Sequence, residues 1–246
     1  MHFFNRYLFK LLVGFTLCSQ TLHAQEYPVI NFKVYLWPTD RPTPSKVERT
    51  KGSDAQEIMR AYTPPKVAYS PNGADEVSFI QIAKKRISPS YRYQGPQPLT
   101  FFNVVENARQ PLGSTRIADG MREVLLLLFP NSDESPGYQI LPLDISNDTI
   151  PDGQALIYNL SEQPVACLFN KQKIALLPNT SELAKLGPEH DYAAIIRIGA
   201  QDHNGEWSEQ YAQRLFIDPQ GSALLMIYKQ PDRGNVFRIM QIKNNR

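Results

Sequence analysis

The stretch LPLDISNDTIPDG sets Asp144, Asp148 and Asp152 four residues apart between two apolar runs. Carboxylates so spaced raise the question of a calcium loop. The helix-loop-helix type takes ligands at alternate positions, with Gly at the sixth and Glu at the twelfth. Counted from Asp144, those places hold Thr149 and Ala155, and Pro151 interrupts the loop. Asp144, Asp148 and Asp152 are therefore weak metal candidates, and no metal is predicted. Asp, Asn, Pro and Gly are also what a tight corner needs, because their side chains cap local N–H groups or fix φ. The stretch reads as a corner joining two sub-domains.

Nucleophilic chemistry has few places to live. Past the first 24 residues the histidines are His190 in GPEHDY and His203 in QDHNGEW, both in polar, turn-like segments. The chain has no G-x-S-x-G elbow, no H-E-x-x-H, no cysteine pair with zinc spacing and no glycine-rich phosphate loop. Cys167 in PVACLF sits among apolar neighbours, the setting of an inert thiol. No catalytic residue and no cofactor is assigned. Paired carboxylates remain open, since a glycosidase needs only two acids at a set separation in space and the chain has 24. For binding, SPSYRYQGP puts Tyr91 and Tyr93 on one face of a strand and Arg92 on the other, a set suited to sugar or peptide contact. Trp207 and Tyr211, four apart, are predicted to share a core face with Leu215 and Ile217.

The chain opens MHFFNRYLFKLLVGFTLCSQTLHAQ: a basic start (Arg6, Lys10), a short apolar run from Leu11 to Cys18 and a polar tail ending at Ala24. That is the pattern of a cleaved export signal over residues 1–24. Leu17 stands where lipidation of Cys18 wants a small residue. No later run reaches the roughly 20 apolar residues of a membrane helix. Loss of Arg6 and Lys10 brings the 26 basic residues to 24, equal to the 24 acidic ones. A balanced chain without a basic stripe speaks against nucleic acid. The cluster KKR at 84–86 reads as a guarded sheet edge. Only Cys167 then remains, so stability must come from a packed core rather than a disulfide.

Strand patterns dominate the remaining residues. VINFKVYLW alternates, with Ile30, Phe32, Val34 and Leu36 pointing one way and Asn31, Lys33, Tyr35 and Trp37 the other. Similar runs recur at roughly 8–12 residue intervals, separated by turn residues, as in sandwiches. About seven antiparallel strands are predicted in the second half. There QALIYNL, PVACLFN and KIALLP form a meander, and Asn204-Gly205 forms a tight turn. Helical signals are brief: SDAQEIMRAY carries a capping box, and TSELAKLG has room for a turn or two. In VLLLLF, Val124 to Phe129, alternation is lost, so both faces must be covered, by a loop or by a second sandwich.

YRYQGP before LTFF, and PDGQALIYNLSEQPVA after YQILPLD, resemble a family of bacterial exported β-sandwich proteins with no assigned activity. The resemblance implies an exported, all-β, two-unit architecture and carries over no site residue. The expected layout is a leader at 1–24 and an N-terminal antiparallel, Ig-like sandwich at 25–142 with a polar loop at 38–52. A turn at 143–152 then leads to a second sandwich at 153–246. The expected role is a non-enzymatic binding or assembly module of the cell envelope, periplasmic or secreted. Its partner would be a protein or a glycan. The alternative is a carbohydrate-active enzyme using paired carboxylates.

Overall fold

The computed structural model of the chain describes residues 27–37, 66–73, 76–83, 86–106, 108–131, 137–187, 193–201, 204–230 and 236–243. The leader, the polar loop at 38–52, SDAQEIMRAY, His190, His203 and the two lysines of KKR lie outside them. The described residues are all-β, and none forms a helix long and apolar enough to cross a membrane. The first eight strands are β1 (Ile30–Leu36), β2 (Val67–Tyr69), β3 (Ser78–Phe79), β4 (Tyr91–Tyr93), β5 (Leu99–Val105), β6 (Ala108–Thr115), β7 (Glu123–Pro130) and β8 (Tyr138–Asp144). The second eight are β9 (Gln154–Asn159), β10 (Val165–Phe169), β11 (Gln172–Leu176), β12 (Ser181–Lys185), β13 (Ala193–Gln201), β14 (Trp207–Phe216), β15 (Ala223–Gln230) and β16 (Val236–Lys243).

Four four-stranded sheets result. Sheet A has the order β4-β1-β7-β8 and sheet B the order β3-β2-β5-β6; sheet C is β12-β9-β15-β16 and sheet D is β11-β10-β13-β14. Moving every strand of A and B eight places along the chain reproduces C and D, so the two sandwiches share one topology. In each half the first strand pairs in parallel with the seventh: β1 with β7, and β9 with β15. The expected purely antiparallel pairing is corrected at these two places. Parallel neighbours cannot be joined by a hairpin, so alternation within one strand carries no sign of them.

Two further expectations change. QALIYNL and PVACLFN are not hairpin partners: β9 lies in sheet C, and the chain crosses to sheet D before β10. TSELAKLG forms strand β12, paired antiparallel to β9 from Ser181↔Tyr158 to Lys185↔Gln154. One short turn of helix is a poor nucleus in isolation, whereas β9 offers a ready ladder. This raises the second half to eight strands.

Each sandwich has its own core. Phe32, Phe101, Leu126 and Leu128 centre the first; Phe169, Ile196, Ile198 and Leu225 centre the second. A third cluster lies between sheets A and C and holds Tyr35, Leu125, Leu127, Leu143, Leu156, Leu224, Met226 and Ile242. VLLLLF is therefore covered by the second sandwich. Val124, Leu126 and Leu128 face the first core, Leu125 and Leu127 face the partner sheet, and all five are 0% exposed. The other face of β1 is likewise covered: Trp37 stacks edge-on against Tyr228 of β15 at 5.1 Å and lies 5.1 Å from Phe129.

The docked faces are equivalent in the two halves. Leu125 pairs with Leu143 as Leu224 pairs with Ile242, and Tyr35 sits beside Leu127 as Tyr158 sits beside Met226. Surfaces that meet through equivalent positions behave like the isologous contact of a dimer, here within one chain. The connection from β8 to β9 is part of this interface, with Ile145 at 7% and Ile150 at 0% exposure. These two side chains plug the space between the sandwiches, while Asn147 and Asp148 of the same segment stay exposed.

Candidate ligand-binding face

Among the described residues, Phe79 and Val105 of sheet B and Leu183 of sheet C are exposed, and the outer face of sheet D carries three large apolar side chains into solvent. Alternation along β10, β11 and β13 sends Cys167, Ile174, Ile196 and Ile198 inward and Ala166, Ala175, Ile195 and Arg197 outward. Ile195 is 49% exposed, Trp207 51% and Phe216 66%. Ile198 pairs with Tyr211, yet the next residue, Gly199, pairs with Glu209, so Gln210 is an extra residue. That β-bulge reverses the facing of the start of β14. Tyr211 packs on the second core with buried Leu215 and Ile217, while Trp207 turns outward. The expectation that Trp207 shares their core face is corrected on this ground. Gly199, a glycine inside a strand pattern, was the available signal.

Registers place Ala175, Ala166, Gly199 and Glu209 in one row across β11, β10, β13 and β14. The neighbouring row on the same face is Lys173, Leu168, Arg197 and Ala212. Three of the smallest residues thus form a trough floor, with Trp207 as one wall and Lys173, Leu168 and Arg197 as the other. The hollow has a volume of about 540 Å³. A Cβ added at Gly199 would lie 3.9 Å from Cε3 of Trp207, so the indole stands against the floor in ordinary contact distance. Arg197 Nη1 lies 3.7 Å from Glu209 Oε2, with both side chains more than half exposed, so this pair adds little stability. Further along, the Arg214 guanidinium lies 5.7 Å from the centre of the Phe216 ring.

A second hollow, of about 460 Å³, lies where β11 meets β12. There the Gln172 side chain donates to Lys185 O at 2.7 Å and accepts from Lys185 N at 3.0 Å. It thereby occupies edge groups that an added strand would need. Among the described residues, Glu209 lines the first hollow and Glu182 the second.

Tyr91 and Tyr93 do share a face, with Arg92 opposite, but the face is the inner one. Tyr93 is 3% exposed and donates its hydroxyl to Pro96 O. The Tyr91 ring packs 5.6 Å from Phe32 and 6.0 Å from Tyr69, and its hydroxyl accepts from Gln81 N at 2.7 Å. Arg92 points to solvent and reaches Gln94 Oε1 at 3.4 Å. These rings are engaged in packing, whereas Trp207 and Phe216 of sheet D are open to solvent.

At the aspartate stretch, Asp144 Oδ1 accepts from Ser146 N at 2.9 Å and Oδ2 from Thr149 Oγ1 at 2.7 Å. Ile150 N closes the corner onto Ser146 O at 2.8 Å. Asp148 and Asp152 are exposed, and among the described residues no group of three His, Cys, Asp or Glu side chains is placed to hold a metal ion. The carboxylate of Asp144 thus caps the turn that inserts Ile150 between the sandwiches. Cys167 is buried, and burial pushes its thiol up to about 12. Burial likewise raises Tyr35, with a smaller contribution from neighbouring Tyr228, and raises Tyr158.

The sequence matches no protein-family model and no curated protein sequence.

Proposed function

We propose that the protein is exported and serves as a non-enzymatic binding or assembly module of the cell envelope, holding its partner on the outer face of sheet D. The observation that carries this reading is the set of Ile195, Trp207 and Phe216, each about half exposed or more, on one face of a sheet whose opposite face is a full core. Ile195 and Phe216, which stands opposite Ala193, lie at one end of β13, and Trp207, opposite Gln201, lies at the other; large apolar side chains exposed on one sheet face support its use as a contact surface. The leader pattern at 1–24 supports export, and Cys167, the one cysteine that removal of this leader would leave, is buried, which suits a compartment where exposed free thiols are a liability.

The test combines fractionation with retention. The full chain, expressed with its own leader, is expected in the periplasmic or extracellular fraction, shortened by residues 1–24. The purified product is then expected to be retained on isolated envelope material. An Ile195→Ser, Phe216→Ser variant is expected to lose that retention while keeping its thermal transition. Cytosolic product with an intact leader, or retention indifferent to both substitutions, overturns the reading. Release of reducing ends from envelope glycans would instead favour the carbohydrate-active alternative.

A further inference from the structure

We infer that the trough beside Trp207 is a saccharide subsite that takes pyranoside chains bearing carboxylates, such as uronic acid residues; this rests on the reading of sheet D as a binding face. Three features select that chemistry. The floor of Ala175, Ala166 and Gly199 runs across three adjacent strands, a length of roughly 10–15 Å at the usual strand spacing. That is room for a short oligosaccharide lying across the sheet. The Trp207 indole lies beside Gly199, and the apolar face of a sugar ring stacks on such a surface while its hydroxyls reach the polar rim.

The backbone beneath the trough is already paired. β10 is bonded to β11 on one side and β13 on the other, so an extended peptide would find no main-chain partners there, although strand addition depends on them. The rim supplies side-chain chemistry instead. Lys173 and Arg197 on one wall share the trough with Glu209, and Lys173 also lines the second hollow beside Glu182. The 3.7 Å contact between Arg197 and Glu209 is longer than a charge-assisted hydrogen bond. An incoming carboxylate can therefore claim the Arg197 fork.

The experiment uses the purified product of the fractionation above, titrated with a trisaccharide of galacturonic acid and separately with a neutral trisaccharide of glucose. Intrinsic tryptophan fluorescence and calorimetry report binding. The acidic probe is expected to bind at least ten-fold tighter than the neutral one, with an affinity that falls as salt rises. Trp207→Ala is expected to weaken it ten-fold or more. Arg197→Gln should remove most of the preference for the acidic probe. Gly199→Val is expected to block binding by filling the floor, while the fold persists, because a Cβ there meets nothing closer than 3.5 Å. Equal binding of both probes overturns the carboxylate assignment. Absence of binding, or binding unchanged in Trp207→Ala and Gly199→Val, overturns the subsite. If envelope retention through Ile195 and Phe216 then persists, the binding face stands without this subsite; if retention is also absent, both readings fall.

Discussion

Replacing Leu127 by alanine tests the docking of the two sandwiches against the adjacent Leu126 as control. Both side chains are 0% exposed, but Leu126 belongs to the first core and Leu127 to the cluster between sheets A and C. Each truncation removes three carbons, about 2.4 kcal/mol at roughly 0.8 kcal/mol per buried methylene. A residual cavity of about 50–100 Å³, at roughly 24 cal/mol per Å³, adds about 1–2.5 kcal/mol. Each variant should therefore lose about 3–5 kcal/mol, a drop in Tm of about 6–20 °C for a chain of this size. Guanidinium unfolding followed by fluorescence suits the purpose, because Trp37 lies in the interface against Phe129 and Tyr228. If the sandwiches were merely tethered, Leu127 would face water and its truncation would change stability by no more than about 0.5 kcal/mol. That result for Leu127→Ala, beside a full loss for Leu126→Ala, refutes the docked arrangement.

Other expectations follow from single sites. Asn159 is 0% exposed, donates to Gln163 O at 2.9 Å and to Leu177 O at 3.2 Å, and accepts from Ser161 Oγ at 2.6 Å. Asn159→Ala should leave these groups unpaired at a cost of about 2–4 kcal/mol by chemical denaturation; a change under 0.5 kcal/mol would contradict the network. The raised thiol of Cys167 predicts falling stability in alkali. Below the ordinary thiol value both states are protonated; above it the unfolded chain ionises first, so stability drains between the ordinary value and about 12, by at most about 1.4 kcal/mol per pH unit. Cys167→Ala should flatten that part of the pH profile, and the native thiol should react with a disulfide reagent only after denaturation. Asp144→Ala should lower stability by about 1–2 kcal/mol through loss of its bonds to Ser146 and Thr149, with the same loss in calcium and in chelator. Gly137→Ala would drive a Cβ to 2.5 Å from Leu112 O, where β6 passes β8. Its loss should exceed the roughly 1 kcal/mol typical of a substitution, as read by thermal denaturation.

Alternation made the all-β class legible, and most strands lie where apolar residues recur at every second position. VLLLLF also declared its need for cover on both faces, which the docked sheets satisfy. The site was harder to read. Tyr91 and Tyr93 share a face as their spacing requires, but spacing cannot say whether that face looks at a core or at water. Trp207 was misplaced because a two-residue count from Tyr211 assumes an unbroken ladder, and the extra residue Gln210 breaks it. The row Ala175, Ala166, Gly199 joins three strands and exists only once their registers are set.

By itself the order of residues determined what is local: period-two patterning, the corner built by Asp144 to Gly153, the Asn204-Gly205 turn and the burial of Cys167. These depend on side-chain chemistry within a few residues of one another. The tertiary structure alone decided the parallel pairings of β1 with β7 and β9 with β15, the repeated eight-strand topology and the meeting of equivalent faces. It also decided which aromatic ring faces outward. Each of these is a relation between strands far apart along the chain, set by which pairing buries the most apolar surface while satisfying every backbone group.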